Sequence, residues 1–161
     1  MKGDPKVIEL LNEALKLELT AINQYWLHYR MLDNWGVRKL AEYERHESID
    51  EMKHADRFAE RVLFLEGLPN FQALARLRIG ETVEEILKAD LEAEYEAAKL
   101  YREAADYCDS VRDFVSRDLF VGVLADEEKH IDYIETQFEM IARMGLQNYI
   151  QLNSEAAGAH D

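Results

Sequence analysis

Glu51 and His54, and again Glu127 and His130, put a carboxylate and an imidazole three residues apart in the chain. On a helix that is one turn, so both side chains leave from one face. One such pair carries little weight alone. The spacing between the pairs carries more: Glu51 and Glu127, His54 and His130, and Glu18 and Glu94 are each separated by 76 residues. The same polar trio therefore occurs in each half. One glutamate from each of two helices, with Glu-x-x-His from each of two others, is a donor set for a pair of divalent cations. Four carboxylates match the charge of two such ions, and an oxygen–nitrogen set without thiolate suits iron or manganese better than structural zinc. Without cations these acids would repel, and some would be forced to hold protons. The alternative, buried Glu–His pairs that merely pack, leaves six polar intrusions at matched offsets unexplained. Glu51 and Glu127, central in the pattern, are expected to bridge the two metals. Glu18 with His54, and Glu94 with His130, are expected as terminal ligands.

The elements that must carry these residues are helices. Asp4-Pro5 reads as an N-cap followed by proline at the first helical position. From there, positions 8, 11, 15, 18, 22, 25, 29 and 32 form one helical face, with Glu18 as its charged member. Asn34-Trp35-Gly36 ends it. A second helix is predicted from about Val37 to Glu66, stopped by Gly67 and Pro69. Residues 67–81 form a long connection without a clean period. Thr82 and Glu85 read as a capping box opening a third helix, with Asp109-Ser110 as its closing turn. A fourth helix carries Phe120, Val123, Glu127, His130, Ile134 and Ile141 and ends at Gly145. A fifth, over Leu146 to Leu152, precedes a tail at 153–161 expected to be mobile. The fold class is all-α: a four-helix bundle over about residues 5–144 as one domain, its long crossover making helices two and three parallel.

Composition narrows the function. The 161 residues carry 33 acids against 19 Lys and Arg, a net charge of −14. Nucleic-acid binders need a basic face, and so does attraction to an anionic membrane surface. The longest run free of charged residues, Leu19 to Tyr29, falls well short of the roughly 20 apolar residues that span a bilayer. Cys108, the single cysteine, rules out an internal disulfide and a Cys-x-x-Cys metal site. A cytoplasmic protein that attracts cations is expected.

Three stretches, Glu47-Ser-Ile-Asp-Glu-Met-Lys-His-Ala-Asp56, Leu63-Phe-Leu-Glu-Gly-Leu-Pro69 and Asp126-Glu-Glu-Lys-His-Ile-Asp132, resemble the bacterioferritins, haem-containing members of the ferritin superfamily. The resemblance spans the whole chain, with Met52 inside the motif. It implies iron storage with ferroxidase activity. Ferrous iron would be oxidised by dioxygen or peroxide at Glu18, Glu51, His54, Glu94, Glu127 and His130, and the ferric product stored in a 24-subunit shell built from two-fold dimers. It also implies one b-type haem per subunit pair, held by Met52 from each subunit, and a small iron–sulphur ferredoxin for iron release.

Helix geometry sharpens those expectations. Beside Glu51, one flank of the second helix reads Arg45, Ile49, Met52, Ala59 and Leu63; the first helix has Leu19, Asn23 and Trp26 outside its main stripe. Such a second apolar row calls for a partner, most simply another copy across a two-fold axis. Two facing thioethers could then ligate haem iron; on spacing alone Met52 is an interface filler, and the resemblance favours the haem. The opposite flank, His46, Asp50, Lys53 and Arg57, is polar. His46 and Asp50 are, by resemblance, a secondary iron site, and otherwise an ordinary solvated face. Tyr25 is, by resemblance, a redox-active tyrosine, and otherwise a buried aromatic. His28 and His160 have no partner at ligand spacing and are assigned to surface or interface. Trp26, Trp35 and Cys108 read as packing, as do Met31, Met140 and Met144. Glu44, Glu47 and Asp90 either line a cation path or hydrogen-bond the ligands.

Overall fold

Helix α1 (Pro5–Asn34) starts where the Asp4 carboxylate accepts the backbone N–H groups of Lys6 and Val7 at 2.8 and 3.1 Å. Two amides that would otherwise lack partners are satisfied there, and Pro5 has none to lose. The helix closes at Trp35 and Gly36, the latter with φ 83°. The computed structural model describes residues 1–156, so part of the expected mobile tail, including His160, lies outside the described residues. Helix α2 spans Arg38–Phe64. Past it, the left-handed residue is Glu66, at φ 65°, and Gly67 serves a different need: a Cβ there would stand 2.7 Å from Ile8 Cγ2.

Helix α3 (Val83–Ser110) opens with the Thr82 hydroxyl accepting the Glu85 amide at 3.1 Å. The Glu85 carboxylate reaches back to the amide of Glu81 at 3.0 Å, one residue before the cap itself. The expected turn at Asp109-Ser110 is displaced. The helix runs through both residues, and the chain reverses at Val111–Asp113, with Arg112 at φ 62° and Asp113 capping Ser116. Helix α4 (Phe114–Met144) ends at Gly145, φ 86°, and α5 covers Leu146–Leu152. The described residues contain no strand.

Helix α1 packs on α2 and α3 on α4, with further contacts between α1 and α3 and between α2 and α4. Two separate apolar clusters result. One holds Val7, Leu11, Leu15, Phe58, Tyr101 and Phe120; the other holds Leu32, Leu40, Ile86, Leu87, Ile134 and Tyr149. Each large side chain buried there contributes roughly 1.5–3 kcal/mol. The two cores clamp the bundle near its ends and leave the middle to polar residues.

The crossover rides along α1. Asn12 bonds Leu68 O and Asn70 N, the Thr20 hydroxyl accepts Ala75 N at 2.8 Å, Gln24 Oε1 accepts Arg78 N at 3.1 Å, and His28 Nε2 accepts Gly80 N at 3.0 Å. Both series ascend together, so the segment travels in the direction of α1 and makes α2 and α3 parallel, as expected. His28 corrects its sequence reading. It is fully buried, because its ring links the crossover to Asp90 Oδ1, 2.9 Å from Nδ1.

Candidate metal centre

Between the two apolar cores, Glu18 on α1, Glu51 and His54 on α2, Glu94 on α3 and Glu127 and His130 on α4 converge, each more than nine-tenths buried. They form two overlapping groups whose donor atoms lie within 4.8 Å of one another: Glu18, Glu51, His54 and Glu127, and Glu47, Glu51, Glu94 and His130. His54 Nδ1 is 3.7 Å from Glu18 Oε2, 3.7 Å from Glu51 Oε2 and 3.1 Å from Glu127 Oε1. His130 Nδ1 is 3.3 Å from Glu51 Oε1, 3.4 Å from Glu94 Oε1 and 3.6 Å from Glu127 Oε2. Glu51 and Glu127 thus turn one oxygen toward each histidine, while Glu18 and Glu94 face one histidine apiece.

Buried donors of this kind are costly unless partnered. Here Glu18 Oε2, Glu51 Oε1, Glu94 Oε2, Glu127 Oε1 and both histidine Nδ1 atoms have no hydrogen-bond partner among the described residues. These six meet in one cluster, as a site built for cations requires; other unpartnered buried oxygens sit on Glu44, Asp90 and Tyr43. The rings are held from behind. Asp126 Oδ2 bonds His54 Nε2 at 3.0 Å, and Glu47 Oε2 lies 2.9 Å from His130 Nε2. A carboxylate at Nε2 keeps the proton there and turns the Nδ1 lone pair inward. Glu18 and Glu94 each accept from a buried phenol, Tyr101 and Tyr25 respectively.

Electrostatics follow from this crowding. Burial, then the charges of Glu127 and Glu18, push the Glu51 carboxyl well above its ordinary range. Burial also opposes charge on Glu127, but hydrogen bonds from His130 and His54 outweigh it and lower its pKa. For the histidines, burial works against the cation, and the surrounding glutamates win, so both are held well above the ordinary imidazole range. Burial, with nearby carboxylates, raises the Tyr25 and Tyr101 hydroxyls.

Two openings meet the cluster. A cavity of about 30 Å³ reaches Glu18, Glu51, Glu94 and Glu127 from the crossover, lined there by Ala75, Arg76 and Arg78. A larger one, about 620 Å³, opens on the other side between Glu47, Asp50, His54, Asp126, His130 and Tyr133. Asp50 is half-buried at its wall, whereas His46 is exposed and lies 3.2 Å from Glu42. Met52 is 57% exposed on the outer flank of α2, apart from the cluster. Trp26 and Trp35 are also substantially exposed; Trp26 meets Tyr29 edge-on. Cys108 is fully buried in the first apolar cluster, its thiol pushed up to about 12 by burial. Met140 and Met144 pack against the second.

Sequence reasoning missed Tyr101 and Asp126 as partners of the cluster. The offset was there to be used: Tyr25 and Tyr101, and Asp50 and Asp126, are also 76 residues apart. Glu47 has no such twin, and its place beside His130 is visible only in three dimensions. Glu44 and Asp90 join His28 in a separate buried group. Because His28 Nε2 accepts the Gly80 amide, its proton sits on Nδ1 toward Asp90. Gln24 donates to the same Asp90 oxygen at 3.0 Å, so Asp90 organises the α1–crossover contact.

Comparison with known proteins adds the following. Residues 8–144 match the ferritin-like domain family. A bacterioferritin of Brucella melitensis biotype 1 is 55% identical over 157 residues, covering 98% of each chain. A bacterioferritin of Rhodobacter capsulatus is 54% identical over 154 residues, covering 96% of each. A solved structure of Rhodobacter capsulatus bacterioferritin superposes with a TM-score of 0.98 at 52% identity, covering 99% of this chain and 100% of that one. That structure is described as having a metal-free dinuclear site and a haem iron in a crystallographic special position.

Proposed function

The chain belongs to the bacterioferritins, a ferritin-like family, and from that premise we propose that it stores iron and oxidises it on the way in. Ferrous iron is the substrate. Two ions bind between Glu51 and Glu127, one completed by Glu18 and His54, the other by Glu94 and His130. The observation that carries this reading is the convergence of both Nδ1 atoms with an oxygen of each central glutamate, all without other partners.

The residues perform the reaction by charge and position. Four carboxylates offset four positive charges at buried positions, where electrostatic attraction is stronger than in bulk water. Each ferrous ion gives one electron to dioxygen or peroxide, and the carboxylates hold the added charge of the ferric product. Asp126 and Glu47 fix the rings, and Tyr101 and Tyr25 fix the terminal glutamates. Tyr25, beside Glu94, is the phenol assigned to redox exchange. The crossover cavity admits ferrous ions, drawn by the chain's excess of acids. Product leaves toward the larger cavity, where Asp50, with the exposed His46, offers a secondary iron site. In the cytoplasm, 24 such subunits enclose the mineral. Met52, exposed on the flank expected to meet a two-fold partner, would hold a b-type haem shared by two subunits through its thioether, and the haem would supply one-electron redox chemistry.

The deciding experiment is iron retained per chain after aerobic ferrous loading and size-exclusion chromatography. Retention far above two ions per chain, in a large particle, is expected. Retention of two or fewer overturns storage. Glu18→Ala and Glu94→Ala should each abolish the fast oxidation phase while assembly survives, and unchanged kinetics in either would remove that residue from the site.

A further inference from the structure

Tyr43 and Tyr133 stand outside the roles assigned above. Their rings lie face to face, centroids 3.8 Å apart and planes 16° apart. Aromatic pairs generally prefer offset or edge-on arrangements with centroids about 4.5–7 Å apart, so a flush pair this close is held by its surroundings. One ring comes from α2 and the other from α4. Both line the larger cavity beside Glu47, His54 and His130. The Tyr43 hydroxyl is buried without a hydrogen-bond partner among the described residues, so it ties nothing together. Phenylalanine would fill the same space. Glu47 acts electrostatically on both phenols and itself lies 2.9 Å from His130 Nε2, placing the pair next to the metal centre. Tyr25 and Tyr101 differ in this respect: each is committed to a glutamate of the cluster.

Resting on the oxidation reading above, we propose that Tyr43 and Tyr133 are a paired-phenol electron donor to the metal centre, and that its end product is a covalent bond between the two rings. The step runs when peroxide outlasts ferrous iron. Each phenol gives up one electron and its hydroxyl proton; the two electrons and two protons convert one hydrogen peroxide to two water molecules. The ring radicals then combine through the carbons beside their oxygens. The hydrogens on those carbons move to the oxygens as both rings regain aromaticity. The net change is loss of two hydrogen atoms and gain of one carbon–carbon bond. Stacking favours the sequence twice. A vacancy on one ring is shared with its neighbour, and the coupling partners begin in van der Waals contact. Surplus oxidant is thereby consumed inside one subunit.

The test uses the full-length assembled protein, loaded with ferrous iron and then treated with excess hydrogen peroxide. Ferrous oxidation is followed by absorbance, and the tyrosines by fluorescence of the coupled rings and by peptide mass. A linked peptide pair joining the segments around Tyr43 and Tyr133, lighter by two hydrogens, is expected. It should be absent in Tyr43→Phe and Tyr133→Phe, and at least tenfold reduced in protein preloaded with redox-inert zinc. Fast ferrous oxidation with both tyrosines unmodified overturns the donor role and leaves the ferroxidase reading intact. Equal coupling in zinc-blocked protein overturns the route through the metal centre. Absence of fast ferrous oxidation overturns the functional reading and this proposal with it.

Discussion

At the scale of single residues, the centre depends on carboxylates that touch no metal in the proposed arrangement. Asp126 bonds His54 at 3.0 Å and Glu47 sits 2.9 Å from His130. Removing such a partner frees the ring to rotate and lowers its basicity, which typically weakens metal affinity roughly 10–100-fold. Asp126→Ala should therefore weaken one of two cobalt-binding steps by about that factor and spare the other; an unchanged titration would contradict it. The metal-free centre also makes a pH prediction. Both histidines titrate above their ordinary 6.5, so the folded chain keeps protons that the unfolded chain has released. Their contribution is complete below pH 6.5 and is lost as pH rises through the elevated folded values. Glu51 acts in the same sense from 4.5 upward; Glu127, lowered, acts oppositely and loses its contribution only in acid. Metal-free protein should thus melt progressively lower from neutral to alkaline pH, and zinc, by replacing the protons, should flatten the profile. A metal-free melting temperature that stays constant across that range removes the argument. The six central residues were legible because a repeated offset marks them regardless of folding. Glu47 was legible only as an inward acid that either lines a cation path or hydrogen-bonds a ligand; its pairing with His130 was not, because sequence spacing cannot align α4 with α2.

Among elements, the crossover matters most. Its four ties to α1, at Asn12, Thr20, Gln24 and His28, seat Ala75, Arg76 and Arg78 as the wall of the small cavity above Glu18 and Glu94. The far end is fixed by a close approach: a Cβ on Gly80 would overlap the backbone of Glu85 and Ile86 at the start of α3. Relief requires moving backbone, so Gly80→Ala should cost about 1–3 kcal/mol or more. At about 2–4 °C per kcal/mol for a chain of this size, calorimetry should find melting lowered by at least a few degrees. A loss below 1 °C would mean the crossover yields freely. Helical periodicity revealed the five helices, since every long one buries a single stripe. The crossover's course was harder to read because its contacts are made by backbone amides, which leave no residue-type pattern. The same blindness put His28 on the surface or at an interface and stopped α3 at Asp109-Ser110, where the real reversal uses Arg112 in a left-handed conformation.

For the whole molecule, the outer flank of α2 raises the question of what covers it. Met52 and Leu63 are 57% and 61% exposed, and Trp26 of α1, with Arg45 of α2 over its ring, is 43% exposed. Large apolar side chains clustered on one side of a single chain mark a contact surface. For identical copies the simplest closed solution is a two-fold axis, which brings each residue near its own counterpart. Met52 then has two separable properties. Its bulk helps fill the interface, and its sulphur is the only part able to ligate iron. Met52→Leu keeps the first and deletes the second. Haem-reconstituted Met52→Leu should run at the wild-type particle size and oxidise ferrous iron at the wild-type rate, with its haem absorbance per subunit at least tenfold lower. Leu63→Glu makes the complementary cut: a charge facing its own copy across the axis should split the particle and release haem together with it. Haem retained by the leucine variant at wild-type level would show that the interface, and not the thioether, holds the cofactor.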